Sequence, residues 1–265
     1  MTGRLRHYTC GSTTHDLGAM FRGADRGVRR FPSGVFLYDA SDGRRVLFDT
    51  GYATGAWATG WRGAVYRRLL PPQIAEDDDV AQRLRADGVD PASVTHVVLS
   101  HLHPDHVGGV RRFPDARFVL GQGALDTLAA PTLRSGVLAG LLPDWFGPAA
   151  KTVLGRDSFR RTHVGGVPLR AVDLLGDESY LVVDLPGHAR GHLGALVERE
   201  VLLAGDAAWG SDLLDGAARL RVLPRAVQHD PARYARTAET LVALADAGVR
   251  VVCSHDPLRE RELLG

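Results

Sequence analysis

The chain has 265 residues and a formal net charge of +1, which is enough for one large domain or two modest ones and leaves no strong overall field to draw it to nucleic acid or an anionic membrane. It is 45% hydrophobic and 24% charged, as expected of a soluble globular protein. Two cysteines far apart, Cys10 and Cys253, are too few for a secreted disulfide scaffold and read as small buried side chains. Residues 1–11 carry no apolar signal-peptide core, and no stretch is apolar for long enough to span a bilayer. The expectation is a cytoplasmic protein with a small-molecule partner, no nucleic-acid or membrane partner, and an open oligomeric state.

Residues 4–9 read as a first strand, and Gly11 to Arg30 as a polar, glycine-rich loop in which His15 and Asp16 form a solvated pair. Gly34–Tyr38 and Arg45–Asp49 read as two strands joined by the Asp42-Gly43 turn, the second ending at Asp49. Residues 52–75 form an insert. Trp57, Trp61, Val65 and Leu69 recur there at helical spacing, which usually means core packing, and Pro71-Pro72 ends the helix. Asp77–Asp79 cap a helix reaching about Ala86.

Val94 to Leu99 is β-branched and apolar and reads as a buried strand. Ser100 to Gly109, S-H-L-H-P-D-H-V-G-G, follows directly. Residues i and i+2 of an extended chain point the same way, so His101 and His103 aim at one point beyond the strand end. Pro104 stops the strand, and Asp105 and His106 fall on the first turn of a helix and face a neighbouring point. Gly108 and Gly109 allow close backbone packing. Imidazole with carboxylate is a ligand set for zinc or a similar first-row metal.

Arg117–Leu120 is another strand. Residues 122–165 read as a second, loop-and-helix insert with a break near Pro131 and a loop carrying Trp145 and Phe146. Strands follow at 167–172, 180–185, 194–198 and 201–204. Asp230-Pro231 starts an amphipathic helix over 231–247, and 249–253 is a last strand. With no repeat and no low-complexity linker, the chain reads as one domain over 1–265. Four strand exits end in potential ligands: the His101–His106 loop, His188, Asp206 and His255. The arginine pairs Arg67-Arg68, Arg111-Arg112 and Arg160-Arg161 read as solvated faces, or as contacts for a phosphate-bearing acyl carrier.

In order, H-x-H-x-D-H (His101, His103, Asp105, His106), P-G-H (His188), G-D (Asp206) and S-H (His255) resemble the metallo-β-lactamase superfamily of hydrolases across nearly the whole chain. The resemblance implies an α/β (α+β) layered fold, a four-layer αββα sandwich. It implies that His101, His103 and His188 hold one metal and Asp105, His106 and His255 a second, with Asp206 bridging them. Asp49 and His192 match residues that support the ligands from behind. Two divalent ions follow, with zinc as the first expectation and iron or manganese as alternatives. The implied reaction is attack of a hydroxide held between the ions on a carbonyl carbon, with Asp105 as the proton shuttle.

Within that superfamily an exported β-lactamase does not fit Asp206, a di-iron oxygen reducer does not fit His103, and a nuclease lacks its added domain. The short loop spacing and the S-H-D-P ending look more like acyl-homoserine lactonases. Thioesterases similar to glyoxalase II, acting on an acyl-CoA, acyl-carrier or glutathione thioester, are the alternative. A mono-iron persulfide dioxygenase and a non-catalytic binding protein remain as further readings. One departure is Trp209, three residues after Asp206, where lactonases of this group commonly carry Tyr. Trp57, Trp61, Trp145, Phe146 and Trp209 are expected to line an apolar pocket for an acyl chain or ring, or else, for Trp57 and Trp61, to pack the insert helix on the body.

Overall fold

Strand residues here are buried on both faces, and their alternation sorts them into two cores. The structure, a computed structural model, describes residues 3–54, 59–259 and 261–265. Among these, β1 (Arg4–Asp16), β2 (Val28–Asp39), β3 (Arg45–Phe48), β4 (His96–Val98), β5 (Arg117–Gly121) and β6 (Lys151–Leu154) belong to one sheet. A second sheet holds β7 (Arg160–Val164), β8 (Val167–Asp173), β9 (Tyr180–Asp184), β10 (Leu193–Val197), β11 (Val201–Gly205) and β12 (Arg250–Cys253). The last strand, β13 (Glu262–Leu264), returns to the edge of the first sheet beside β1.

Phe36, Tyr38, Val46, Phe48, Val98 and Val119 of the first sheet pack against Tyr180, Val182, Ala195, Val197, Val201 and Leu203 of the second. Their neighbours point the other way. Leu37, Leu47, Val97 and Leu120 meet Leu84 of α3 (Val80–Ala86), Val107 of α4 (Pro104–Val107) and Ala124 of α5 (Gln122–Ala129). Leu181, Val183, Leu196 and Leu202 meet Leu241 and Leu244 of α7 (Pro231–Asp246). Strands apolar on both faces need a layer on each side, and the result is helix, sheet, sheet, helix. The capping residues behave as their chemistry requires. Asp79 accepts from Ala81 N–H and Asp230 accepts from Ala232 N–H, each satisfying a helix-start donor.

Four expectations are corrected. β1 does not stop at Thr9. Gly11, at φ +87, makes a bulge rather than an end, and the strand resumes to pair Thr13 with Phe31 and Asp16 with Val28. Asp16 then caps the short α1 (Leu17–Met20), and His15 bonds Thr13. The 122–165 insert is not wholly an insert, because its last third supplies β6 and β7. Polar edge strands such as Arg-Arg-Thr-His-Val give only a faint alternation signal. Trp61, Val65 and Leu69 of α2 (Gly60–Leu69) do not pack into the core but face solvent. Trp57 lies outside the described residues.

Strands β3, β4, β5 and β6 are parallel to one another, as are β11 and β12. Their carboxyl ends therefore share one edge of the sandwich, where ligand sites of layered folds gather. Gly108 and Gly109 lie against the 50–53 backbone, where a Cβ on Gly108 would come within 2.7 Å of the Ala53 nitrogen. Substituting Phe48, fully buried between the sheets, by Ala should cost about 3–5 kcal/mol in urea unfolding. Val242→Ala, on the open side of α7, should change stability by less than about 0.5 kcal/mol.

Candidate metal centre

The strand exits bring seven side chains together. Donor atoms of His101, His103, His188 and Asp206 lie within 4.8 Å of one another, and so do those of Asp105, His106 and His255. Asp206 lies between the two groups. Its Oδ2 is 3.5 Å from His188 Nε2 and 3.2 Å from His255 Nε2, and its Oδ1 is 3.3 Å from His106 Nε2. Asp105 Oδ2 stands 3.6 Å from His106 Nε2 and 3.7 Å from His255 Nε2.

Each ring is held from behind, and the holding group sets which nitrogen faces inward. His255 Nδ1–H donates to the Pro32 carbonyl (2.7 Å), and His188 Nδ1–H to Gln228 Oε1 (2.9 Å). His106 Nδ1–H donates to Asp49 Oδ2 (2.7 Å). Ser100 gives its N–H and its hydroxyl to Asp49, at 2.7 Å each, and its oxygen accepts from His101 Nδ1–H at 3.0 Å. His103 is reversed: its Nε2–H donates to the Ser135 carbonyl (3.0 Å), which leaves Nδ1 facing the cluster. His192 aims none of its nitrogens at the cluster. It donates from Nδ1 to the Leu185 carbonyl and accepts the Asp206 N–H on Nε2, so it positions Asp206. Gly205, at φ +56, permits this contact, since a Cβ there would lie 2.8 Å from His192 Nε2. Asp49 itself sits at φ +59, a strained conformation for a residue with a side chain, and that turn brings its carboxylate under His106.

The electrostatics follow from burial and neighbours. Burial pushes His101, His103 and His188 below the ordinary histidine range. Burial also opposes charge on His255, but Asp206 and Asp105 overcome it and raise its pKa to about 9. Asp105, Asp206 and Asp49 do the same for His106. Asp206 is buried, which disfavours its charge, yet His255 and His106 hold it well below the usual carboxylate range.

These atoms fit metal ions. His103 Nδ1 and His188 Nε2 lie 3.2 Å apart, but both rings have their protons committed on the far side, so two lone pairs face each other. His101 Nε2, His106 Nε2 and Asp206 Oδ1 are buried without a hydrogen-bond partner, a costly arrangement unless something binds them. Six imidazoles and carboxylates sharing one bridging acid suit two divalent ions of borderline softness.

A profile of the metallo-beta-lactamase superfamily matches residues 28–255. The chain belongs to the metallo-beta-lactamase superfamily. It is thus a metal-dependent hydrolase. A probable metallo-hydrolase of Mycobacterium tuberculosis is 29% identical over 84% of this chain and 74% of its own length. The N-acyl homoserine lactonase AttM of Azorhizobium caulinodans is 31% identical over 70% of this chain and 67% of its own. A solved N-acyl homoserine lactone hydrolase, described with the product N-hexanoyl-L-homoserine bound at its catalytic metal centre, superposes with a TM-score of 0.74 at 18% identity. It covers 97% of this chain and 95% of its own.

Of the aromatic residues expected to line a pocket, Trp209 reaches the superfamily site. It stands edge-on to His188 with centroids 6.4 Å apart, and against Phe21 and Tyr234. Phe146 is buried in the outer core, edge-on to Phe118, with Trp145 beside the same ring. The outward-facing Phe118 of β5 needs a cover, and the 144–146 turn supplies it. Trp61 is 62% exposed on α2. The cavity that does adjoin the cluster, about 490 Å³, is walled by Leu102, Ala124, Val137 and Val227, and rimmed by Arg134, Arg190 and His229.

Sequence reasoning missed Ser100 and Gln228. Ser100 stands beside the first histidine and shares its motif. Gln228 lies 40 residues from His188 with no pattern to mark it, at the end of α6 (Val222–Val227). Because His255 carries a proton below about pH 9 and must lose it to bind metal, metal uptake at pH 7 should release protons and tighten as pH rises toward that value. Calorimetry in buffers of different ionisation enthalpy reads this; buffer-independent heats would contradict it. Gln228→Ala should lower metal affinity or activity by about 10–100-fold.

Proposed function

We propose that this chain is a lactonase that uses two divalent ions, zinc in the first place, to open a lactone bearing an apolar acyl part. The observation that carries the reading is the Asp206 carboxylate between two histidine groups. It is supported by the kinship with AttM, an N-acyl homoserine lactonase, and by the fold shared with a hydrolase described with its acyl-homoserine product. The second donor group, Asp105, His106 and His255, favours a two-ion site over the single-iron reading.

In this reading His101, His103 and His188 would hold one ion and Asp105, His106 and His255 the other, with Asp206 shared by the two groups. When bound, such a pair supplies a nucleophilic water at neutral pH and an electrophile for the carbonyl oxygen. The chain's own residues do the rest. His192, through the Asp206 N–H, and Gln228, Asp49, Ser100 and the Pro32 and Ser135 carbonyls keep the donors in place before substrate arrives. Asp105 is the acid–base group. Its Oδ2 takes the proton released from the attacking water and returns it to the ring oxygen as the ester bond breaks. Asp206, pinned by His255 and His106, stays ionised and does not compete for that proton.

Trp209 cannot supply a phenol, but its ring offers an apolar edge beside His188. The cavity walled by Ala124 and Val137 suits an acyl chain. Turnover of a panel of lactones and thioesters tests the reading. Lactone opening should disappear in His103→Ala and Asp206→Ala. Val137→Phe should raise KM for a decanoyl lactone far more than for a butyryl one. Thioester turnover without lactone turnover would contradict the proposal.

A further inference from the structure

We infer that the face around the mouth of this cavity is a docking surface for an anionic phospholipid bilayer. The inference stands apart from the choice of substrate. Nine large hydrophobic side chains are exposed among the described residues, and seven of them fall on α2, α6 and the 131–135 turn. On α2, Trp61, Val65 and Leu69 share one solvent-facing stripe. On α6, Val222 is 85% exposed and Leu223 stands beside it, with Val227 turned to the cavity. Leu133, exposed, stands in the turn between Pro131 and Arg134, whose hydrogen bonds reach α2 and α6. Hydrogen bonds tie the three segments into one surface. Arg62 Nη1 donates to the Pro131 carbonyl at 3.2 Å, and Arg134 donates to the Ala226 and Gln228 carbonyls at 2.9 Å each. Scattered apolar residues on a surface need no explanation, but a gathered set marks an interaction site.

Charge says which partner fits. Positions 60–69, 130–137 and 221–228 contain six arginines (Arg62, Arg67, Arg68, Arg134, Arg221 and Arg225) and no aspartate or glutamate. The whole-chain charge of +1 conceals this concentration, so net charge alone does not argue against a local anionic contact. A second copy joined through a two-fold axis would set this patch against itself, arginine facing arginine, an arrangement that like-charge repulsion disfavours. Asp126 is the one acidic residue among the described residues that line the cavity, and it is already beside Arg190. One acyl chain would fill the cavity and leave the α2 stripe bare. A bilayer rich in anionic lipid meets both requirements. Trp61 and the leucines enter the headgroup boundary, where Trp is favoured, and the arginines meet lipid phosphates. Docked this way, the cavity mouth opens toward the bilayer, and an amphiphilic substrate enters it without leaving the lipid.

Co-sedimentation of the full chain with vesicles tests this, using phosphatidylcholine alone and phosphatidylcholine with one part in three phosphatidylglycerol. The chain should pellet with the anionic vesicles, and raised salt should release it. Arg68→Glu with Arg225→Glu should weaken partition by more than about tenfold, at about fivefold for each charge removed and more for reversal. Trp61→Ser with Leu223→Ser should abolish it. Both variants should keep the parent's thermal unfolding profile and metal content, which separates lost docking from lost folding. No pelleting with anionic vesicles, equal pelleting with both vesicle types, or unchanged pelleting of the variants would overturn the inference. So would a dimer in analytical ultracentrifugation that the same substitutions dissociate.

Discussion

Asp206 is a carboxylate taken almost wholly out of water, and the active edge of this protein is arranged around keeping it charged. A buried anion is tolerable only when opposite charge and hydrogen bonds replace the lost solvent. Here His106 and His255 stand within 3.3 Å of its oxygens, and its own backbone N–H is held by His192. Those rings come from α4, from the turn after β9 and from the end of β12. His188, His192 and His255 adjoin strands of the same sheet as Asp206, whereas His106 reaches it only once the first sheet is packed against the second. The site is thus a property of the finished sandwich, and metal binding draws directly on folding free energy.

The same constraint explains the layer of groups behind the ligands. A neutral imidazole presents one lone pair, and the orientation of that lone pair is decided by where the other nitrogen sends its proton. Carbonyls of Pro32, Leu185 and Ser135, the Gln228 amide and the Asp49–Ser100 pair make that choice ring by ring. Asp49 is held in a left-handed backbone conformation to take part. Strain kept at such a position is reasonable where two adjacent imidazoles, His101 and His106, depend on a single carboxylate–serine pair.

Much of this was legible in the chain. Glycine and proline punctuation, the Asp79 and Asp230 caps and the apolar runs before each ligand located β3, β4, β9, β11 and α7, and the ligand set itself stood in short motifs. The misses have physical causes. A bulge at Gly11 looks the same in sequence as a strand end, so the long β1–β2 arms were read as loop. Edge strands β6 and β7 bury little and show little alternation. A helical stripe such as Trp61-Val65-Leu69 signals amphipathicity, but cannot say whether its apolar face meets a core or the outside. Loop position suggests the pocket for Phe146 and Trp145, whereas they pack in the outer core over the outward-facing ring of Phe118, which they help to bury. Gln228 acts through one tertiary contact, which no local pattern reveals.

The most direct test of the account is the metal stoichiometry of the wild-type chain and of Asp206→Ala, measured by mass spectrometry of the native protein titrated with zinc. If Asp206 is the shared acid that both histidine groups require, the wild-type chain takes two ions and the variant loses tight binding at both positions. A wild-type chain that saturates at one ion, or a variant that still holds two with undiminished affinity, would contradict it.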